Sequence, residues 1–567
     1  MKATITPWSP MPPEREFLVR QAMRVMDRNY DEQASLVRET EGGELSTRSS
    51  AHYALGLLIR GEPGDREKAS AILQRVLDMQ LDAPDEIYHG TFRVSPEAPV
   101  PPAGHMAWGT FPPGIAYSIH TTMEAVFRRF AANIGRALPG LLTGEAEPAV
   151  RDGFRHAVNE VLPPVWESYD PNWREFIACT FALLLDRFEA ELPPGLVARI
   201  DGAMGKAVGA SLARRLSQSI PMNTNIELMH AFIVHYYGHR YRDEAWIEHA
   251  EREAERLLAA YREFDSFPEF NSTTYYGVDL TVLGMWREHA RTESFRSAGK
   301  KLESGLWRNL ADFYHPGLEN VAGPFSRAYD MEMKEHSSLG VFLYLALGES
   351  CRHLAVVNCE TSHDPLIALV GVDVPEDVLP RLREFGGERH IRKSFRELCE
   401  RDKPGANTHL CRAEAWIGRD LMIGAMSGSR NTSGQLHPAT IHWRTESGER
   451  YSLRLLRRAK GEQWSRHLRG VTFEAKAAER RLEAEICVRS DEEIEVFFEV
   501  SGPCLEPAQI SEDRWSFPGL SCIVSAEAPQ PAVRMNGGRL EIVYPCRSGP
   551  DAWSRLRFEL QLETARL

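Results

Sequence analysis

From the N-terminus to about residue 395, apolar residues recur at intervals of three and four, the spacing of helices with one buried face. Residues 49–59 form one such segment, and residues 67–80 follow after the breaker Glu62-Pro-Gly-Asp65. Residues 173–186 begin after Asp170-Pro-Asn172, and residues 226–237 place Ile226, Met229, Ile233 and Tyr236 on one face. Residues 244–261 are rich in Glu, Arg and Ala, which predicts a helix with a solvated outer surface. The pattern yields about a dozen helices without a fixed repeat period, which argues against TPR and HEAT arrays. Alternating inner and outer helices closing into an (α/α) toroid are expected instead.

Near residue 405 the pattern changes. Residues 413–427 read as two strands around a turn, and 439–444, 451–456, 494–500, 540–544 and 556–562 are short, β-branched and aromatic. Gly, Pro, Ser and Asp separate them, the pattern of an antiparallel β-sandwich. The charged stretch 381–404 reads as the linker. The expected fold class is α+β multidomain, with a helical toroid over 1–395 and an antiparallel β-sandwich over 396–567.

Composition alters this picture little. Of 567 residues, 43% are hydrophobic and 26% charged, an ordinary globular balance. The net charge of -13 argues against a nucleic-acid partner, but it leaves room for an acidic sugar bound by a few local Arg, His and Asn groups. Nine cysteines, an odd number without a CxxC pair, suggest reduced thiols. The first residues lack a signal-peptide core and no apolar run approaches ~18 residues, so a cytoplasmic protein with no membrane partner is expected. No phosphate-binding, dinucleotide-binding or serine-hydrolase motif occurs.

Three loop-to-helix junctions carry unusual chemistry: Pro221-Met-Asn-Thr-Asn225, Glu269-Phe-Asn-Ser-Thr-Thr-Tyr-Tyr-Gly277, and Gly323-Pro-Phe-Ser-Arg-Ala-Tyr-Asp330. Helix capping explains single Asn, Ser and Thr residues there, Ser272 included. Capping needs one residue, however, and the second junction stacks seven with polar groups: Glu269, Asn271, Ser272, Thr273, Thr274, Tyr275 and Tyr276. Amides, phenols and an Arg suit β-elimination of a uronate glycan. That reaction needs a group to neutralise the carboxylate, a base for the C5 proton and an acid for the leaving oxygen. A Tyr acting as base needs its pKa, ordinarily about 10, lowered by about three units, which takes roughly 4 kcal/mol of preferential phenolate stabilisation. Arg327 is the candidate cation.

Asn271, Tyr276 and Tyr329 are candidate sugar contacts. His105 and Trp108, in the loop Ala103-Gly-His-Met-Ala-Trp-Gly-Thr-Phe-Pro112, are candidates for a further subsite. Gln435 and His437, close to His442 in Gly434-Gln-Leu-His-Pro-Ala-Thr-Ile-His-Trp443, are further candidate substrate contacts. His230, His235 and His239 lack the HExxH arrangement and read as core or rim residues. No cofactor is expected, although His409, Asp420 and His437 form a conceivable zinc set without diagnostic spacing.

Glu269-Phe-Asn-Ser-Thr-Thr-Tyr275 resembles the Glu-x-Ser-Pro-x-Tyr region of heparinase II/III-like and alginate-lyase-like polysaccharide lyases, with one extra residue after the Glu and Thr273 where Pro is usual. The resemblance implies that Tyr275 is the catalytic acid, and often also the base. Asn223-Thr-Asn225, about fifty residues upstream, is placed like the family's carboxylate clamp, but the usual Asn-His pair is absent. Thr408-His-Leu-Cys-Arg412 resembles the His-bearing strand that opens the family's β-domain, which makes His409 the candidate His. The resemblance also implies an incomplete (α/α) toroid joined to an antiparallel β-domain, and an acidic glycan as substrate. Two other functions are compatible with the sequence. One is a glycoside hydrolase drawing a carboxylate pair from Glu269, Asp279, Asp330 and Glu332. The other is a non-catalytic glycan-binding relative.

Overall fold

The computed structural model describes residues 11–39, 43–101, 153, 168–217, 222–398, 408–465, 468–490, 493–546 and 554–564. His105 and Trp108 lie outside the described residues.

The helical part contains α1 (Pro13–Asn29), α2 (Thr47–Arg60), α3 (Asp65–Asp78), α4 (Trp173–Phe188), α5 (Pro194–Ser217), α6 (Thr224–Tyr241), α7 (Glu244–Phe264), α8 (Tyr275–His289), α9 (Glu293–Phe313), α10 (Leu339–Leu347) and α11 (Asp364–Val370). Two kinds of helix alternate. In α6 every residue from Leu228 to Gly238 is buried, three full turns without an exposed position, so the helix is enclosed on every side. In α7 only His249, Ala250, Ala254, Leu257 and Tyr261 are buried, a single stripe that leaves the Glu and Arg face in water.

The enclosed helices form a ring: α2 packs on α4, α4 on α6, α6 on α8, α8 on α11, and α11 on α2. The striped helices lie outside, with α3 against α2, α7 against α6, α9 against α8, and α5 against both α4 and α6. From α4 to α9 inner and outer helices alternate along the chain through short connections, so α4, α6 and α8 run the same way. Arg48 at the start of α2 lies against Trp173 at the start of α4, and Asn225 of α6 bonds Glu269 just before α8, so first residues of the inner helices gather at one end of the ring.

The C-terminal part consists of two antiparallel sheets. The strands are β1 (Arg389–Leu398), β2 (Thr408–Ile417), β3 (Leu421–Ser427), β4 (Ala439–Arg444), β5 (Arg450–Ala459), β6 (Val471–Ala478), β7 (Arg481–Val488), β8 (Ile494–Ser501), β9 (Arg514–Phe517), β10 (Leu520–Glu527), β11 (Ala532–Asn536), β12 (Arg539–Cys546) and β13 (Ser554–Thr564). One sheet has the order β11-β12-β8-β5-β4-β3-β2-β1, and the other β6-β7-β13-β10-β9. Between them Phe498 packs on Trp515 and Phe558, with ring centres 5.0 and 5.1 Å away. The arrangement is a β-sandwich.

The first strand, β1, begins inside the stretch read as a linker. Its charges hold it against the toroid: Arg389 donates to the carbonyls of Asp312 (3.0 Å) and Tyr314 (2.7 Å), Lys393 pairs with Asp312 (2.8 Å), and Arg396 pairs with Glu263 (2.7 Å). Phe395 stacks on Phe270 at 4.3 Å, joining the two cores next to the second junction. The eight cysteines among the described residues are all free thiols. No helix of the described residues is long and apolar enough to cross a membrane.

Candidate functional site

The polar string before α8 stitches two junctions together. The Ser272 hydroxyl accepts the Tyr275 N–H (2.9 Å), as a cap does, and also donates to the Arg327 carbonyl (2.5 Å). Thr273 donates to the Asp330 carbonyl (2.7 Å), and Thr274 accepts the Tyr329 N–H (3.0 Å). Three successive hydroxyls thus fix loop 323–330 over the start of α8. The same loop bonds to the β-domain: the Ala328 N–H donates to the Gln435 carbonyl (2.9 Å), Phe325 and His437 exchange backbone bonds, and Asn431 Nδ2 donates to the Ser326 carbonyl (3.1 Å). Nothing in the sequence marks Asn431.

This scaffold brings together residues from four segments. Arg327 donates through Nη1 to Glu269 Oε1 (2.5 Å) and through Nε to Gln435 Oε1 (2.7 Å), while its guanidinium carbon lies 4.2 Å from the centre of the Tyr275 ring. Gln435 Nε2 donates to the Tyr275 hydroxyl (3.4 Å). The other oxygen of Glu269 accepts the Asn225 N–H (3.4 Å). Asn225, Glu269, Arg327, Gln435 and Tyr275 therefore form one continuous network. Asn225 is 3% exposed, and its Oδ1 has no hydrogen-bond partner among the described residues. Asn223 precedes α6 at the cap position, but its side chain makes no capping bond. Tyr329 is 54% exposed, with its ring centre 6.2 Å from that of Tyr275.

The electrostatics overturn one expectation. Arg327 does lie against Tyr275, but it does not make the phenol acidic. Burial pushes the Tyr275 pKa well above its ordinary value and outweighs the opposing pull of Arg327, while Tyr329 and Glu269 push it further up. The guanidinium charge is shared with Glu269, and Tyr275 rests as a neutral phenol. Such a group can give a proton, but it does not start as a base.

Three other expected sugar contacts point inward. Asn271, at φ 54°, donates from Nδ2 to the Ala322 (2.6 Å) and Pro324 (3.0 Å) carbonyls and is fully buried, so it clasps loop 322–324. The Tyr276 hydroxyl is 2.6 Å from the Asn271 N–H that it accepts, and the residue is 1% exposed. His437, also 1% exposed, bonds to the Ala328 carbonyl through Nε2 (2.9 Å), and burial pushes its pKa down to about 3. It holds the loop as a neutral imidazole.

His409 lies in β2 opposite Glu397 of β1, on the sheet face it shares with Cys411. Cys411 Sγ and Ser429 Oγ both approach the Glu397 carboxylate (3.7 and 2.8 Å). His409, Asp420 and His437 do not assemble: Asp420 pairs with Arg444 at 2.7 Å, and the described residues contain no group of three or more ligand side chains suited to a metal.

Comparison with solved structures gives weak similarity over most of the chain. A chondroitin AC lyase of Streptomyces coelicolor A3, in complex with chondroitin sulphate, is 14% identical at a TM-score of 0.37, covering 97% of this chain and 83% of that one. A heparinase III gene product is 8% identical at 0.33, covering 98% and 84%. A mutant of the heparan sulfate lyase HepC from Pedobacter heparinus is 8% identical at 0.28, covering 90% and 91%. Scores this low leave the functional reading to the site itself. No curated protein matches. The model of the family described as Domain of unknown function (DUF8769) matches residues 16–143 and 154–368, more than half of the chain, and the protein belongs to that family.

Proposed function

We propose that this protein is a lyase that cleaves a uronate-containing glycan by β-elimination, with Tyr275 protonating the leaving oxygen. The observation that carries this reading is the buried, neutral Tyr275 phenol, bonded to Gln435 and covered by Arg327, beside the exposed Tyr329 ring. In the proposed reaction the C5–H bond breaks toward a base, the C4–O bond breaks, and the phenol proton passes to the departing oxygen. Asn225, with its unused buried amide oxygen, and Asn223 are the proposed clamp for the substrate carboxylate; an Asn amide turned over offers Nδ2 at the same place. His409 is the proposed base, because a phenol that starts protonated needs a partner for that step.

The hydrolase reading has less support. Hydrolysis needs two carboxyl groups facing each other across the scissile bond. Glu269 is committed to Arg327, and Asp330 to Arg454 and Arg539, which hold it down at about 2 against the effect of burial. Glu332 is half-buried and accepts the Lys334 and Glu335 N–H groups (2.7 and 2.6 Å). Asp279 is fully buried with neither carboxyl oxygen bonded among the described residues; burial, with Glu269 adding to it, pushes its pKa well up.

Asp279 supplies a prediction that separates the two readings. A raised folded pKa means that folding binds a proton, so the residue costs stability above the unfolded value of about 3.9. That cost grows by about 1.4 kcal/mol per pH unit until the folded pKa is reached. Asp279→Asn is therefore expected to raise the melting temperature at neutral pH, to flatten its fall toward alkaline pH, and to keep turnover. A lower melting temperature would mean an ionised, paired Asp279, and lost turnover would favour a hydrolase. The direct test is a panel of uronate glycans, monitoring the ultraviolet absorbance of an unsaturated product. Reducing ends released without that absorbance would replace elimination by hydrolysis.

A further inference from the structure

A second cluster occupies the end of the ring where the inner helices begin, outside the network around Tyr275. Arg48, the second residue of α2, lies with its guanidinium carbon 5.3 Å from the Trp173 ring centre and 5.2 Å from that of Phe176, both in α4. All three side chains are partly exposed. Among the described residues no carboxylate lies within ion-pair distance of Arg48, and its Nε is buried without a hydrogen-bond partner. Phe176 also stacks on His363 at 5.9 Å and 13°, and the His363 ring is 4.7 Å from that of His52.

Both imidazoles have one nitrogen in use and one idle. His52, fully buried, approaches Ser362 Oγ through Nδ1 (3.4 Å) and leaves Nε2 without a partner. His363, 7% exposed, meets Glu360 through Nδ1 (2.9 Å) and also leaves Nε2 without one. Burial pushes the pKa of His52 well down, so its ring is neutral and can accept or donate a single bond. Glu360 is the acidic neighbour: burial pushes its carboxyl up, but His363, Arg48 and His336 outweigh this and hold it at about 2. His336 also links the cluster to the first site, since its ring is 6.3 Å from that of Tyr329.

We propose that Arg48, His52 and His363 form a binding subsite for a negatively charged sugar unit, separate from the Tyr275 network. A guanidinium placed beside two aromatic rings, with its Nε lacking a partner among the described residues, suits a carboxylate or sulfate through its fork of donors. Idle imidazole nitrogens beside it suit sugar hydroxyls. The ligand class rests on the elimination reading; the geometry does not.

Calorimetric titration with D-glucuronate, and with D-glucose as its neutral counterpart, tests the subsite. Glucuronate is expected to bind wild type and Tyr275→Phe alike, and glucose about tenfold or more weakly. Arg48→Met is expected to lose about tenfold or more in glucuronate affinity, and Arg48→Lys less, because it keeps the charge but not the planar fork. Thermal melting of each variant checks its fold, and Arg48→Lys decides the matter if Arg48→Met does not fold. Unchanged affinity in Arg48→Met, or in Arg48→Lys where only that variant folds, equal binding of the two sugars, or no binding of glucuronate would overturn the proposal. Arg48-dependent glucuronate binding in a protein that cleaves no uronate glycan would leave the subsite in place and remove the elimination reading. Cleavage with an unchanged KM and affinity in Arg48→Met would do the reverse.

Discussion

Replacing Tyr275 by Phe is expected to lower turnover of a cleaved uronate glycan by about 10²- to 10⁴-fold, the usual contribution of a positioned proton donor. The ring would keep its place at the start of α8, beside Arg327 and Tyr329, because the substitution removes one oxygen. The hydroxyl's losses are the Gln435 Nε2 bond, at 3.4 Å a long one, and a contact with the exposed Tyr329. Stability should therefore change by about 1 kcal/mol or less. Initial rates from product absorbance, with thermal melting of the same samples, separate the two effects. A variant within about tenfold of wild type would show that the phenol is not the acid.

The second large effect concerns folding. Arg327→Met would leave the Glu269 carboxylate, 1% exposed, with the long Asn225 N–H contact as its remaining described bond. Removing one partner of a buried pair costs about 3–5 kcal/mol, because the other charge stays buried. A denaturant midpoint measurement should show that loss, and Arg327→Met combined with Glu269→Gln should recover part of it, since the remaining amide is neutral. If the single variant lost less than about 1 kcal/mol, Glu269 would have to be solvated or protonated.

The toroid was legible because its helices carry their period openly. Residues 226–237 and 244–261 lie within α6 and α7; the first reads as a helix with one apolar face, and the structure encloses it on every side. The β-domain was only partly legible. Val471-Thr-Phe-Glu-Ala-Lys-Ala-Ala478 and Arg481-Leu-Glu-Ala-Glu-Ile-Cys-Val488 are rich in Ala, Glu, Lys and Arg, residues that favour helices. They nonetheless pair as β6 and β7, with burial alternating residue by residue across a turn that sets Arg480 at φ 52°. Tertiary packing overrides propensity there. β1 was hidden because its Arg and Lys residues resemble a solvated linker, whereas their partners are toroid carbonyls and carboxylates far back in the sequence.

At the site, residue chemistry was more legible than side-chain direction. Tyr275, Arg327, Gln435 and Asn225 stand in one network. Asn271 and Tyr276, from the same polar string, turn inward because a positive-φ turn at Asn271 aims its amide at loop 322–324. A sequence does not display that rotation. The pKa of Tyr275 was equally beyond it, since the outcome depends on how deeply the ring is buried and on Glu269 competing for Arg327.

The position of Gln435 in the chain sets an order of events during synthesis. Tyr275 and Arg327 leave the ribosome well before Gln435, and the sheet that carries the Gln435 loop still lacks β4, β5, β8, β11 and β12 at that point. β12 lies between β11 and β8, so the sheet is not complete until about residue 546 has emerged. At roughly 5–20 residues per second, the hundred or so residues after Gln435 delay completion by several seconds or more. A nascent chain therefore carries the Tyr275 phenol for some time before Gln435, its hydrogen-bond partner in the finished fold, is set in place.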